Sequence, residues 1–201
     1  MPGGKAMGRE SQRVAETKER IRDAFFELYA EKKIERISIK EITEKAGLNR
    51  GTFYVYYKDI YDLLERTEDE LIEELMEKVK GIVTMILRDA DIIPFLPSVE
   101  FYQKYSKILR SLLGPSGDPR FVHKIKKIIK ITLGELFRKE NMPEVRNLEY
   151  IMEYISSAQI GMITYWLQND MALPVKELGE MIKQITLHGP VGYLKMQTES
   201  R

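Results

Sequence analysis

The residues whose types and spacing could do chemistry lie in one short run, "RGTFYVYYK" from Arg50 to Lys58. Arg50, Gly51, Thr52, Tyr54 and Tyr56 put a guanidinium, a bare backbone, a hydroxyl and two phenols on the outward positions of a short helix, while Phe53 and Tyr57 stand four apart for burial. That chemistry is recognition. Arg can bond guanine O6 and N7 together, Thr can meet a thymine methyl or a base edge, and Tyr hydroxyls reach phosphates. Catalysis has little to work with. There is no Cys, which removes disulfides, thiolate metal sites and a cysteine nucleophile, and only His123 and His188 are left to serve as base or ligand. No catalytic residue, metal site or cofactor motif is read.

The elements that must position this run are two short helices and a tight turn, residues 37 to 59, "ISIKEITEKAGLNRGTFYVYYKD". Ser38 with Glu41 three residues later forms a capping-box signature, and Ile37 can staple onto Ile42. Gly47 stands where the chain must stop and turn in a left-handed conformation. Asn49 is a good cap for the second helix, with Leu48 and Phe53 spaced as a second staple. The spacing predicts a helix-turn-helix whose second helix enters a DNA major groove, although a plain helical hairpin with packed tyrosines fits the same spacing.

The periodicity elsewhere is helical, and no strand alternation survives. Helices are predicted near 17 to 33, 38 to 46, 50 to 57, 59 to 89 with a break at Gly81 left open, 97 to 113, 119 to 140, 144 to 169 and 174 to 196. Breaks fall at Ile92 to Ser98, Gly114 to Pro119, Asn141 to Pro143 and Leu173 to Pro174. This defines an all-α chain with a basic arm over 1 to 16 read as mobile, a helix-turn-helix domain over 17 to 60 and a helical body over 61 to 201. Residues 1 to 58 carry 13 Lys or Arg against 9 Asp or Glu, and the remainder 19 against 22, so a basic head sits on an acidic body. Clustered cations are rewarded by a phosphate backbone, because each neutralised phosphate releases counterions. Apolar runs such as Gly81 to Leu87 are far shorter than the ~20 residues a membrane helix needs, and the start lacks the apolar core of a secretory signal. The reading is a cytoplasmic protein with no membrane partner, consistent with the absence of Cys.

At these residues the chain resembles the TetR-type transcriptional regulators. The likeness covers residues 17 to 64 and rests on Thr17, Ser38-Ile39, Ala46-Gly47-Leu48, Gly51-Thr52-Phe53-Tyr54, Tyr57 and Lys58. The resemblance implies that Arg50, Gly51, Thr52, Tyr54 and Tyr56 face DNA, that Thr17, Ser38, Lys40 and Lys58 lie at or near phosphates, and that Asp59 caps the fourth helix. With Asn49, these ten residues form the candidate DNA-binding set. Two positions depart from the family pattern. Lys33 stands where Gly is usual in the loop after the first helix, and Ile60 stands where a Lys usually heads the fourth helix.

The body must be read from physics. Between Val145 and Leu167 apolar residues occur on every side of one helix, so it must be covered all round, and Ser157, Ala158 and Gly161 would allow a second copy close approach. The reading is a homodimer through Ile155, Ala158, Gly161 and Ile163, completed by Leu178 and Ile182 of the last helix as a four-helix interface, which the resemblance also implies. One thick monomeric core is the alternative. Tyr102, Tyr105, Phe121, Tyr150, Tyr154 and Trp166 are candidate walls for a mainly apolar or aromatic small molecule. Lys124, Lys126, Lys127 and Lys130 read as a solvated face, and Glu149 and Glu153 as facing water. The expected function is a transcriptional repressor that binds a palindromic operator in double-stranded DNA as a dimer and is released from it by a small, mainly apolar or aromatic effector. The alternatives are an activator of the same family and an all-α binding or adaptor protein without DNA activity.

Overall fold

The computed structural model describes residues 3–86, 99–115, 117–139 and 146–199. Eight α-helices are present among them: α1 (Gly3–Glu31), α2 (Ile39–Ala46), α3 (Arg50–Tyr56), α4 (Ile60–Ile86), α5 (Val99–Leu112), α6 (Pro119–Lys139), α7 (Leu148–Gln168) and α8 (Val175–Glu199). No strand occurs among the described residues. The chain divides into two compact units, Met1–Leu71 and Ile72–Arg201, so the first unit takes in the opening turns of α4 and ends later than residue 60. The predicted breaks at Ile92 to Ser98 and Asn141 to Pro143 lie outside the described residues.

The helices follow the periodicity, with three differences. First, α1 begins at Gly3, well ahead of residue 17, so the stretch read as a mobile arm is helical. Gln12, Arg13, Ala15 and Glu16 are good helix formers, and Gln12 Nε2 donates to Glu16 one turn on at 3.1 Å. Second, α4 runs unbroken through Gly81. Third, α8 is kinked where Gly189 takes φ 71° and ψ 165°, outside helical space, immediately before Pro190. Proline disfavours helical geometry in the residue before it, and glycine can adopt what is left. Lys33, in place of the family's glycine, is extended and leads into a single 3-10 turn, Ile34–Arg36.

The core of the first unit is the apolar side of α1 closed by the helices that follow. Ile21, Phe25, Ile42, Phe53 and Leu63 are buried completely, and Phe26, Tyr29, Ile37, Tyr57 and Leu64 nearly so. Phe25 stacks on Tyr29 at 5.5 Å, and Phe53 leans on Tyr57 at 5.6 Å. In the second unit Phe121, Ile125, Ile128 and Thr132, which recur every three or four residues on one face, form the inward stripe of α6. Packed with them are Phe101, Tyr102, Tyr105 and Leu112 of α5, Met152, Ile160, Trp166 and Leu167 of α7, and Leu178 and Ile182 of α8.

The capping box at α2 is fully formed: Ser38 Oγ accepts from the Glu41 N–H at 3.3 Å, and Glu41 Oε2 accepts from the Ser38 N–H at 2.9 Å. Lys32 Nζ adds an ion pair to Glu41 at 2.5 Å. Together the Lys32 ammonium, first, and then the Ser38 hydroxyl and amide hold the Glu41 carboxyl at about 2. A lowered carboxyl contributes stability above its ordinary value and loses it as pH falls towards the lowered one. Glu41→Gln keeps the cap geometry and removes the charge. Thermal melts against pH are therefore expected to show the variant less stable at neutral pH, with the gap closing between about 4.5 and about 2. A gap of constant size would mean that the charge contributes nothing.

Candidate nucleic-acid interface

The turn between α2 and α3 sets the direction of everything after it. Gly47 has φ 63°, and its N–H donates to Glu44 O while the Leu48 N–H donates to Thr43 O, which closes α2 in a Schellman motif. A long-range contact completes this. Arg20 of α1 donates from Nη2 to Ala46 O at 2.6 Å and to Gly47 O at 3.2 Å, capping carbonyls that the end of α2 leaves open. A Cβ on residue 47 would stand 3.0 Å from that same nitrogen. No local pattern signals Arg20, because its partners lie 26 and 27 residues away.

α3 is anchored at its start by Asn49, whose Oδ1 accepts from the Thr52 N–H at 2.8 Å and from the Thr52 hydroxyl at 3.0 Å. Phe53 and Tyr57 fasten its inner side, and the outer side is left bare. Tyr54 is 58% exposed and Val55 74%, with Arg50 and Gly51 exposed beside them. This separates the helix-turn-helix from the packed hairpin, in which the tyrosines would be inside. Val55 was not singled out by sequence reasoning. Its signal is an apolar side chain off the Phe53–Tyr57 register, and a valine methyl suits a thymine methyl.

The ten candidate residues divide by what they already do. Arg50, Tyr54 and Lys58 offer exposed polar ends, and Lys40, also exposed, pairs with Glu44 one turn on at 3.6 Å. Tyr56 is half-buried. Asn49 and the Thr52 hydroxyl are engaged with each other, and Ser38 is committed to its capping box, so a contact from any of these needs a second lone pair or a bond exchange. Thr17 Oγ1 donates to Arg13 O one turn back, at 2.7 Å. Asp59 caps α4 through the Asp62 N–H at 2.8 Å, as the resemblance implies.

In the second unit the aromatic candidates separate into two groups. Tyr102, Tyr105, Phe121 and Trp166 are buried, with Tyr102 edge-on to Trp166 at 5.0 Å and Tyr105 against Phe101 at 5.1 Å. Trp166 Nε1 donates to Leu173 O at 2.8 Å, so the indole pins the turn from α7 to α8, where Asp170 and Met171 both have positive φ. Tyr105 Oη donates to Glu74 of α4 at 2.6 Å. Tyr150 and Tyr154, by contrast, are 73% and 62% exposed and wall nothing inside the chain. They share the outer face of α7 with Ala158, Gly161 and Tyr165, because a helix repeats its faces every three or four residues. Of the six interface candidates, Ala158 and Gly161 are exposed and Ile155 and Ile163 half-buried, but Leu178 and Ile182 are buried in their own chain. Those two therefore hold α8 down and present nothing to a partner.

A groove of about 600 Å³ lies along α6, lined among others by His123, Lys126, Lys127, Lys130 and Arg138, with Glu153 of α7. Sequence reasoning placed the lysines and Glu153 in water. Glu153 is exposed, as that reading has it, and at the surface it joins Lys126 at 2.5 Å and Lys130 at 2.6 Å, which hold its carboxyl at about 2.

The fold and this interface define a two-unit, all-α helix-turn-helix protein. A family model described as "Bacterial regulatory proteins, tetR family" matches residues 21–67, and one described as "Transcriptional regulator C-terminal region" matches residues 95–188. The chain belongs to the TetR family of transcriptional regulators. It is similar to two uncharacterised HTH-type regulators of Bacillus subtilis (strain 168), YvdT at 33% identity over 63 residues and YxbF at 35% over 57. Those stretches are 31% and 28% of this chain and only 32% and 14% of the relatives' own lengths. Among solved structures, a TetR regulator from Streptococcus agalactiae 2603V is 21% identical with TM-score 0.58, covering 90% of this chain and 98% of that one. The fatty acid degradation regulator FadR from Bacillus halodurans is 16% identical with TM-score 0.57, covering 87% and 96%. These are likenesses of fold.

Gly47→Ala and Arg20→Ala test the turn. A left-handed residue with a Cβ costs about 1 to 2 kcal/mol, and loss of a charge-assisted bond to a half-buried carbonyl about 1 to 3. Denaturant unfolding is expected to show both losses. Their sum is expected to exceed the double variant's loss, since a Cβ on residue 47 already displaces the guanidinium. Strict additivity would mean the two act independently.

Proposed function

We propose that this chain is a dimeric, ligand-responsive DNA-binding regulator that represses transcription in the bacterial cytoplasm. The observation that carries the reading is the division of α3, with Phe53 buried completely beneath and Arg50, Tyr54 and Val55 bare above. A seven-residue helix fastened on one side and polar, cationic and uncovered on the other suits a major groove. Arg50 and Tyr54 supply base and phosphate contacts, and Lys40 and Lys58 supply phosphate contacts. A second copy of the chain covers the outer face of α7. Tyr150, Tyr154 and Tyr165 flank small Ala158 and Gly161 there, and a Cβ at Gly161 would meet nothing within 4 Å. Large aromatics around small residues are what a close, self-complementary helix pair requires. The effector belongs to the second unit and acts by binding one dimer state better than the other, so that two reading helices about 34 Å apart no longer match successive major grooves.

Titration of a palindromic duplex from upstream of the gene is expected to give a log–log salt slope of several units, for about 6 to 10 phosphates engaged. Arg50→Ala is expected to relax base preference and cost about 1 to 3 kcal/mol per specific contact, while Tyr54→Phe weakens all sequences alike. A flat salt slope would refute DNA binding. For the dimer, Gly161→Leu or Ile155→Asp is expected to abolish self-association in light scattering, because a close contact admits neither bulk nor an unpaired charge. A variant still dimeric at micromolar concentration would place the interface on another face.

A further inference from the structure

Gln159 sits in the middle of the inward face of α7, only 3% exposed, and neither its amide oxygen nor its amide nitrogen has a hydrogen-bond partner. Its neighbours on that face do not provide one. Ser156, one turn before, donates to Glu153 O of its own helix, and Met152 and Ile160 are apolar. Folded proteins pair nearly all buried polar atoms, and a leucine or methionine would fill this position with nothing left unpaired. A buried amide with both donor and acceptor open is therefore a hydrogen-bonding site built into an apolar interior. Trp166 lies on the same face two turns further on, a rise of about 10.5 Å. Tyr102, which carries a phenol hydroxyl, packs edge-on against it and is 3% exposed. Burial raises that hydroxyl's pKa, so it remains a neutral donor.

Resting on the reading of the second unit as effector-binding, we propose that the Gln159 amide anchors an uncharged effector with an apolar body and a head that presents donor and acceptor together, as a primary carboxamide does. Two facing amides satisfy each other through a paired N–H to O exchange. The apolar body then extends along the inward face of α7 towards Tyr102 and Trp166. An ionised head is disfavoured: no Lys or Arg is buried as a whole among the described residues of this unit, and Arg110, whose Nε reaches the interior, already has its charge paired with Asp170 at 2.8 Å, so an anion entering there loses its hydration without gaining a counter-ion. The lysines at Glu153 belong to the groove along α6. The specificity is thus for a neutral head on a greasy chain.

Octanamide is the probe and octanoate its charged counterpart of equal length. Trp166 is the only tryptophan, so emission reads this interior directly. In the full-length protein at neutral pH, octanamide is expected to shift Trp166 emission saturably and raise the melting temperature, and octanoate to do neither at the same concentration. Gln159→Leu and Gln159→Met, each confirmed helical by circular dichroism, are expected to bind octanamide at least about tenfold more weakly. The methionine variant preserves length and flexibility and decides the matter if the leucine variant fails to fold. Unchanged Trp166 emission with octanamide, equal binding by wild type and the methionine variant, or equal binding of octanoate would each overturn the proposal. Adding a labelled palindromic duplex separates this from the wider reading. Octanamide binding that needs Gln159 in a protein that ignores DNA upholds the anchor and refutes the regulator. DNA binding together with octanamide binding indifferent to Gln159 refutes the anchor alone.

Discussion

The Arg20 guanidinium, donating to the carbonyls of Ala46 and Gly47, is the contact on which the presentation of α3 depends. The Gly47 turn reverses the chain in one left-handed residue, and such a turn leaves carbonyls that must be satisfied. Arg20 satisfies them from α1, and in doing so ties the helix before the motif to the corner within it. Phe53 and Tyr57 then fasten the inner side of α3 to the core that Phe25 and Tyr29 begin. With corner and inner side both held, the outer side of a seven-residue helix can remain bare without fraying.

The same economy governs α7, where one helix serves two environments. Its inward residues, from Met152 to Leu167, close the core of the second unit, and Trp166 spends its N–H on Leu173 O to hold the turn into α8. Its outward tyrosines, Tyr150, Tyr154 and Tyr165, stand exposed on the face proposed for a second copy of the chain. The buried face carries Gln159, a polar residue where packing alone calls for an apolar one. In the proposed dimer α7 is core on one side and contact surface on the other, an arrangement by which a packed interior that shifts between discrete arrangements is felt outside.

Electrostatics add local order more than global attraction. The net charge of +1 gives no long-range pull, so recognition rests on how the cations are distributed. In the first unit Lys32 is spent on Glu41 and Lys45 on Glu27, while Arg50 and Lys58 remain exposed. In the second unit Lys126 and Lys130 converge on Glu153, which fastens α6 to α7 along the groove.

Sequence by itself determined what depends on neighbours within a turn or two. The caps at Ser38, Asn49 and Asp59, the left-handed Gly47, the Phe53–Tyr57 pair and the inward stripe of α6 are set by local hydrogen bonding and by the 3.6-residue period, and both are written in spacing. Tertiary structure decided the rest. Which side of α7 faces inward cannot be read from a helix that is apolar all round, so Tyr150 and Tyr154 looked like pocket walls and lie outside. Leu178 and Ile182 of α8, read as interface, are buried within their own chain, because an apolar stripe does not say whether its own core or a second copy covers it. Arg20 meets its partners only when α1 and α2 have packed, and the Gln159 amide is left unpaired only once burial strips it of water. Partners distant along the chain are chosen by packing, which periodicity constrains but does not specify.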